Sequence, residues 1–118
     1  MSRTKGGFVT RRQHKKVLKL TKGHWGSRHR LFRRANESML HALWYSFIGR
    51  KQRTRNLRSL WIARINAAAR MHDISYSRLI AALKVANIQL DRKSLADLAV
   101  HDPQSFAAVV SVAKQAAS

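Results

Sequence analysis

The stretch "SRHRLFRRANESMLHALWYSFIGRKQRTRNLRSLWIARINAAARMH", residues 27–72, contains no proline and a single glycine, Gly49. Proline and glycine are the residues that most readily interrupt an α-helix. The stretch therefore predicts one long helix, or two abutting helices with a bend at Gly49. Apolar residues recur at helical spacing along it, but in its first half they are few and interleaved with cations.

The residues that follow predict further, shorter helices. For one helix, Ser75 is a suitable N-cap, and Asn87 can adopt the left-handed conformation that often ends a helix. Asp91 is a suitable N-cap for the next helix. Asp102 followed by Pro103, the only proline, is the strongest helix start in the chain. The side chains expected to form the core at helical spacing are Leu60, Trp61, Ile65, Ala68, Leu79, Ile80, Leu83, Leu95, Leu98, Ala99, Phe106, Val109, Val110 and Ala113.

The residues before the long stretch predict one more helix. "RRQHKKVLKLTKG", residues 11–23, is expected to be helical as far as Gly23, and "MSRTKGGFVT", residues 1–10, is expected to be an irregular basic tail. No segment alternates with period two, so no sheet is expected. The predicted fold class is all-α, with a long basic helical N-terminal extension followed by a small four-helix globular domain.

Positive charge is concentrated in the first half of the chain. The 118 residues include 24 Lys and Arg but only five Asp and Glu, for a formal net charge of +19. Residues 1–58 hold 17 of the cations and one acid, whereas residues 59–118 hold seven cations and four acids. The charge therefore divides the chain into a basic helical extension over 1–58 and a small helical domain over 59–118. The extension is not expected to collapse without a polyanionic partner.

The segment "KLTKGHWGSRHRLFRR", residues 19–34, places Trp25 among six Lys or Arg and no acid. Phosphates attract such cations, and bases stack on aromatic rings with about 1–3 kcal/mol each. Gly23 and Gly26 lack side chains, which would let the backbone approach a phosphate. RNA is favoured over duplex DNA because folded RNA exposes unstacked bases. The alternative is that Trp25 packs against the apolar stripe of the long helix.

Other chemistry has little support in the sequence. There is no cysteine, the six histidines lack a zinc-ligand spacing, and no paired carboxylates or phosphate-binding glycine loop occurs. We therefore expect no catalytic residue, no metal and no cofactor. No apolar run reaches the roughly 18 residues of a membrane span. In "RKQRTRNLR", residues 50–58, we expect cations on every side of the helix, which favours nucleic acid over a membrane surface.

Three longer strings resemble one known family. "HKKVLKLTKGHWGSRHRLFRRANE" (14–37), "LRSLWIARINAAAR" (57–70) and "YSRLIAALKVANIQLDRKSLADLAVHDP" (76–103) are similar to the bacterial-type large-subunit ribosomal protein numbered twenty. The resemblance extends from about Arg3 to Ala113. It implies a long basic extension that threads through large-subunit ribosomal RNA, a small helical domain nearer the surface, and a role early in subunit assembly. In some bacteria the family also represses translation of its own messenger.

The resemblance and the basic runs together define the predicted RNA contacts. His24 and Trp25 match the family's pair after lysine-glycine, and Arg92 and Lys93 match its "LDRK" string, where they would start a helix. The full predicted set is Arg3, Lys5, Arg11, Arg12, His14, Lys15, Lys16, Lys19, Lys22, His24, Trp25, Arg28, Arg30, Arg33, Arg34, Arg50, Lys51, Arg53, Arg55, Arg58, Arg64, Arg92 and Lys93.

The sequence departs from the family pattern at two places. "KGG" at 5–7 has a glycine where a second basic residue is common, and "ALWYSFIGRKQ" at 42–52 is more apolar than usual, which indicates a protein or base contact at Trp44 or Phe47. The implied partners are large-subunit ribosomal RNA, neighbouring ribosomal proteins and the protein's own messenger RNA. We expect no membrane partner, no homo-oligomer, and a place in the ribosome of a bacterial cytoplasm or an organelle. The alternatives are a nucleoid-type DNA-binding protein and, with least support, a cationic membrane-active protein.

Overall fold

In the computed structural model, which describes residues 2–118, the chain is mostly helical and these residues contain no strand. The α-helices are α1 (Gly7–Leu20), α2 (Phe32–Arg70), α3 (Tyr76–Val85), α4 (Arg92–His101) and α5 (Pro103–Ala117), with a short 3₁₀ helix at Gly26–His29. The predicted all-α fold class is confirmed. The long helix is one element rather than two abutting ones, because α2 continues through Gly49.

The chain divides into two compact units, one reaching Lys51 and the other comprising Gln52–Ser118. Helix α2 contributes residues to both. The functional division predicted at residue 58, between an RNA-threading extension and an RNA-binding domain, remains a prediction.

The second unit has a single apolar core built from four helical segments. The last turns of α2 supply Ile65 and Ala69, both completely buried, and Phe106 of α5 is the largest buried side chain. The other fully buried members are Leu79, Ala82, Leu83, Leu95, Ala96, Val110 and Ala113. The predicted core is largely confirmed, with two differences. Leu60 is 44% exposed, and Ala69, Ala82 and Ala96 are buried although the predicted core did not include them.

Side-chain caps begin the last two helices where the sequence predicted. An Asp91 carboxylate oxygen accepts from the Ser94 backbone N–H at 2.8 Å, and Asp102 accepts from the Ser105 backbone N–H at 3.1 Å. Hydrogen bonds from Ser94 lower the pKa of the Asp91 carboxyl, and those from Ser105 lower the pKa of Asp102. Ser75 stands at the N-cap of α3, but its side chain makes no capping bond.

Helices α2 and α3 both end in a left-handed residue. Asn87, with φ of 53°, was expected in this role, whereas Asp73, with φ of 56°, was not. In each case the next residue donates back five positions, Ile88 to Leu83 and Ile74 to the Ala69 carbonyl. This is the Schellman arrangement, which satisfies carbonyls at a helix end.

The N-terminal boundaries differ from the predictions. Helix α1 begins at Gly7 rather than after residue 10, so the prediction of an irregular tail over residues 1–10 is wrong from Gly7 onward. Glycine costs least at a helix start, where the first N–H groups have no intrahelical partner. The Arg12 guanidinium also lies 5.6 Å from the centroid of the Phe8 ring, which supports the first turn. At its other end α1 stops at Leu20, three residues before Gly23.

Candidate nucleic-acid interface

Nearly all of the predicted RNA-binding side chains are exposed. Of the 23 residues, 20 are exposed and three, His14, His24 and Arg92, are partly buried. Helix α1 contains no buried residue at all. In the first unit the only fully buried side chains among residues 2–51 are Thr21 and Ala35. The cationic side chains of this unit are therefore available to a partner.

Few of these cations are neutralised within the protein. Among residues 2–118, the Lys and Arg side chains in ion pairs are Arg33, at 3.8 Å from Glu37, and Arg34, at 3.4 Å from the same carboxylate. Both pairs are solvent-exposed, and exposed pairs contribute at most about 1 kcal/mol. The positive field of the first unit is thus almost uncompensated, which favours a polyanion.

The turn between α1 and α2 is shaped by glycines. Gly23 has φ of 82° and Gly26 has φ of 65°, both in the left-handed region where a Cβ is disfavoured. Thr21 is buried below this turn, and its hydroxyl donates to the carbonyls of Val17 and Leu18 at 3.3 and 3.2 Å. The glycines are needed for the reversal itself, so close approach to a phosphate is a second role for the same residues.

Histidines connect the turn and α1 to the start of α2. The His24 ring nitrogen Nδ1 lies 2.6 Å from the Ser38 hydroxyl, and His29 Nδ1 lies 2.9 Å from the His24 carbonyl oxygen. The His14 ring stacks on Phe32 with centroids 3.8 Å apart and an interplanar angle of 19°. His14 and His24 were predicted as RNA contacts, and their observed contacts give them a structural role in the turn as well.

Trp25 projects from this turn with 86% of its surface exposed. Internal packing against the long helix, the alternative for this residue, is therefore wrong. Trp25 lines a surface depression of about 200 Å³ together with Gly26, Ser27, Arg28 and Arg34. An exposed indole beside two guanidinium groups combines a stacking surface with phosphate-binding cations.

A second depression, of about 340 Å³, adjoins the first through Arg28 and Arg34. Its other lining residues are Glu37, Ser38 and His41. Sequence reasoning did not assign Ser38 or His41 to the interface, because neither lies in the basic run. Their helical spacing from Arg34, at i+4 and i+7, is the signal that places them on the same face.

The basic run of residues 50–58 lies wholly on exposed helix surface. At about 100° per residue its five cations cover an arc of roughly 200°. The prediction of cations on every side is therefore wrong in detail. The remaining face of this segment holds the polar residues Gln52 and Asn56 rather than apolar residues. It lacks the apolar face that a membrane-surface helix requires.

The second unit presents fewer predicted contacts. Arg64 and Lys93 line a cleft of about 560 Å³ with Trp61 and the carboxylates Asp91 and Asp97. Arg92 does not point freely to solvent, since its Nε donates to the Tyr76 hydroxyl at 2.8 Å. The cleft therefore brings together two cations, an aromatic side chain and two carboxylates.

Two other kinds of site were sought within residues 2–118. No group of three or more His, Asp or Glu side chains is arranged to hold a metal ion in this part of the chain. None of its helices is both long and apolar enough to cross a membrane.

Comparison with known proteins gives matches along almost the whole chain. The family model described as ribosomal protein L20 matches residues 3–109. The chain is 56% identical over 115 residues to the large ribosomal subunit protein bL20 of Caldanaerobacter subterraneus subsp. tengcongensis, covering 98% of this chain and 97% of the relative. It is also 57% identical over 116 residues to the bL20 protein of Lacticaseibacillus casei, covering 98% of both chains.

Proposed function

The chain belongs to the ribosomal protein L20 family, and from this premise we propose that it binds the large ribosomal RNA directly and supports early assembly of the large subunit. The family makes it a structural component of the large ribosomal subunit, in the cytoplasmic ribosome, and not an enzyme. The observation that carries the RNA proposal is the exposed, almost unpaired set of cations over residues 1–58, with Trp25 at its centre.

RNA suits this interface better than duplex DNA. The Trp25 ring, which lies in the turn that contains Gly23 and Gly26, can stack only on an unpaired base. Ribosomal RNA offers such bases in loops and junctions. A duplex would engage the same cations through its phosphates but would leave the Trp25 ring without a base to stack on. The family assignment also favours RNA over the nucleoid-type alternative.

The assembly proposal rests on the composition of the first unit. Its helices bury only Thr21 and Ala35 fully among residues 2–51, so RNA rather than a protein core supplies most of the stabilising contacts available to it. A segment of this kind binds before the surrounding RNA closes around it. We expect no homo-oligomer, since a net charge of +19 repels a second copy.

Repression of the protein's own messenger is a further part of the proposal. The second unit has a folded core and holds Arg64 and Lys93 in a cleft of fixed shape. Such a scaffold can recognise an RNA junction by shape, whether the junction belongs to ribosomal RNA or to a messenger.

The proposal is tested by measuring affinity for large-subunit ribosomal RNA across a salt series with the full chain. The first variant removes three charges from α1, by Lys15→Gln, Lys16→Gln and Lys19→Gln. We expect the slope of log affinity against log salt concentration to become shallower by about two to three, because each phosphate contact contributes about 0.7–0.9 to that slope. The matched control removes three exposed charges outside the predicted set, with Arg70→Gln, Arg78→Gln and Lys84→Gln.

An equal reduction of the salt slope in the two variants would contradict the assignment of the interface to the basic extension. In cells, the protein is expected to sediment with large subunits in high salt. Sedimentation with the chromosome would support the DNA-binding alternative instead.

A further inference from the structure

Helix α2 carries an exposed apolar face that neither the fold nor the basic runs explain. Leu40, Leu43, Trp44 and Phe47 recur at i, i+3, i+4 and i+7, which places them on one side of the helix. Their exposed fractions are 57, 55, 58 and 42%. Single exposed apolar residues are ordinary, but four in one contiguous row mark an interaction surface.

This face is not the one that α2 uses within its own unit. Ala35 is buried and Ser38 contacts the His24 ring, so this side of the helix packs toward the turn. At about 100° per residue, Trp44 lies about 180° around the helix from Ala35. The apolar face is therefore free while Ser38 contacts His24 and Ala35 is buried.

The two aromatic rings on this face are already arranged relative to each other. The Trp44 and Phe47 rings stack with centroids 5.8 Å apart and an interplanar angle of 29°. The Lys51 ammonium lies 4.5 Å from the Phe47 centroid, one helical turn further along. A stacked ring pair with a cation beside it is the combination found where proteins hold single-stranded nucleic acid.

The charges around this face select the occupant. Lys51 and Arg50 lie beyond one end and Arg33 and Arg34 beyond the other, and Glu37 is the sole acid in residues 1–58. Glu37 already faces the two arginines Arg33 and Arg34. A partner protein would need an apolar surface bordered by acids at both ends, whereas RNA supplies phosphates and base faces together.

We infer that Trp44 and Phe47, with Lys51, form a second base-stacking site for an unpaired segment of RNA, on the opposite side of α2 from its packed face and separate from Trp25. A base stacks on the exposed ring surface and Lys51 contacts the neighbouring phosphate. The inference rests on the proposed function, because it names a further site for the same class of partner.

The test uses the full chain and two RNA probes of about eight nucleotides, one single-stranded and one a duplex. Trp25→Phe with Trp61→Phe leaves Trp44 as the only tryptophan. Its fluorescence is expected to be quenched by the single strand at concentrations where the duplex has little effect, because only an unpaired base can stack on the ring.

Affinity for large-subunit ribosomal RNA supplies the second measurement. Trp44→Leu with Phe47→Leu keeps the face apolar and helical but removes both rings. We expect binding to weaken about 5- to 140-fold, which corresponds to about 1–3 kcal/mol of stacking. The matched control is Tyr45→Leu, which removes an exposed ring from a different side of α2 and is expected to change the affinity less than twofold.

The outcomes separate the inference from the function it rests on. If the original chain binds ribosomal RNA and the double leucine variant binds equally well, the inference of a stacking site at Trp44 and Phe47 is wrong, and the proposed function stands. If that variant binds RNA normally but is lost from assembled subunits, the face is a protein contact, which also overturns the inference. Absence of ribosomal RNA binding by the original chain would overturn both.

Discussion

At the scale of single residues, the position of Trp25 follows from its two neighbours of positive φ. Gly23 and Gly26 reverse the chain within a few residues, and the indole between them is 86% exposed. An exposed tryptophan costs solvation free energy in the free protein, and that cost is recovered when a base covers the ring. The exposure of Trp25 therefore favours a role in binding over a role in stability.

We expect Trp25→Ala to weaken RNA binding by about 1–3 kcal/mol, the value of one stacked base. The melting temperature of the isolated protein is expected to change little, because the ring is 86% exposed. Titration with ribosomal RNA and thermal unfolding of the same variant provide the measurements, and Trp25→Phe should retain most of the affinity. A fall in melting temperature with unchanged binding would return the residue to a packing role.

The helix caps give the second residue-scale prediction. Hydrogen bonds lower the folded-state pKa of Asp91 and Asp102 below the ordinary value of 3.8. The ionised carboxylates therefore favour the folded state above that value, and their contribution is lost as the pH falls through the lowered folded-state pKa. The melting temperature of the second unit should decrease over this acidic range.

Asparagine at both caps keeps an oxygen acceptor but cannot ionise. In the variant with Asp91→Asn and Asp102→Asn, the acid-dependent decrease in melting temperature is expected to be smaller than in the original chain. Identical pH profiles for the two proteins would show that these carboxylates are not responsible.

At the scale of the helices, α2 contributes residues to both compact units. Its first turns pack toward α1, and its last turns place Ile65 and Ala69 in the core of the second unit. The helix is long because no residue between these ends stops it, and Gly49 alone costs only about 1 kcal/mol in a helix interior. The core of the small domain is thus incomplete without the end of the long helix.

Ile65→Ala is expected to lower the free energy of unfolding of the second unit by about 2–5 kcal/mol, the usual range for a fully buried isoleucine. Leu60→Ala, on the same helix but 44% exposed, should cost much less. Urea unfolding followed by circular dichroism measures both. Similar values for the two variants would mean that the end of α2 does not pack as described.

Helix α1 gives the contrasting case, since none of its residues is buried. In protein without RNA we expect limited proteolysis to digest the basic extension and to leave a resistant fragment that begins near residues 55–60. Binding of ribosomal RNA should protect the cleaved sites. Equal resistance of both halves without RNA would show that the extension is stable by itself.

At the scale of the whole chain, charge and apolar core are segregated. Residues 1–58 hold 17 of the 24 cations, whereas the core cluster comes entirely from Ile65 and beyond. The first half is suited to affinity that depends on salt, because each neutralised phosphate releases counterions. The second half is suited to recognition of shape, because Arg64 and Lys93 lie on helices that share a packed core.

We therefore expect a fragment of residues 59–118 to fold and to prefer its cognate ribosomal RNA junction over scrambled RNA, with a shallower salt slope than the full chain. The fragment retains Ile65 and all of the core. Binding of both proteins to both RNAs across a salt series tests this division. If residues 1–58 alone keep the preference and the fragment shows none, the extension is the part that recognises the RNA.

The sequence by itself determined the helical class, the caps at Asp91 and Asp102, the stop at Asn87, and the anionic class of partner. These follow from the composition of a few neighbouring residues, and local hydrogen bonding and net charge do not depend on the rest of the fold. It also determined most of the core, because apolar residues at helical spacing lie on one side of a helix and that side packs against the other helices.

The tertiary structure decided the features that depend on residues far apart in the chain. It decided that Trp25 stays exposed, that His14 stacks on Phe32, and that Arg92 is held by Tyr76 rather than left free. It also decided which side of α2 packs and which leaves an apolar row uncovered. Whether a side chain is buried or bound depends on which other helices come within a few ångströms of it, and neighbouring sequence does not specify that distance.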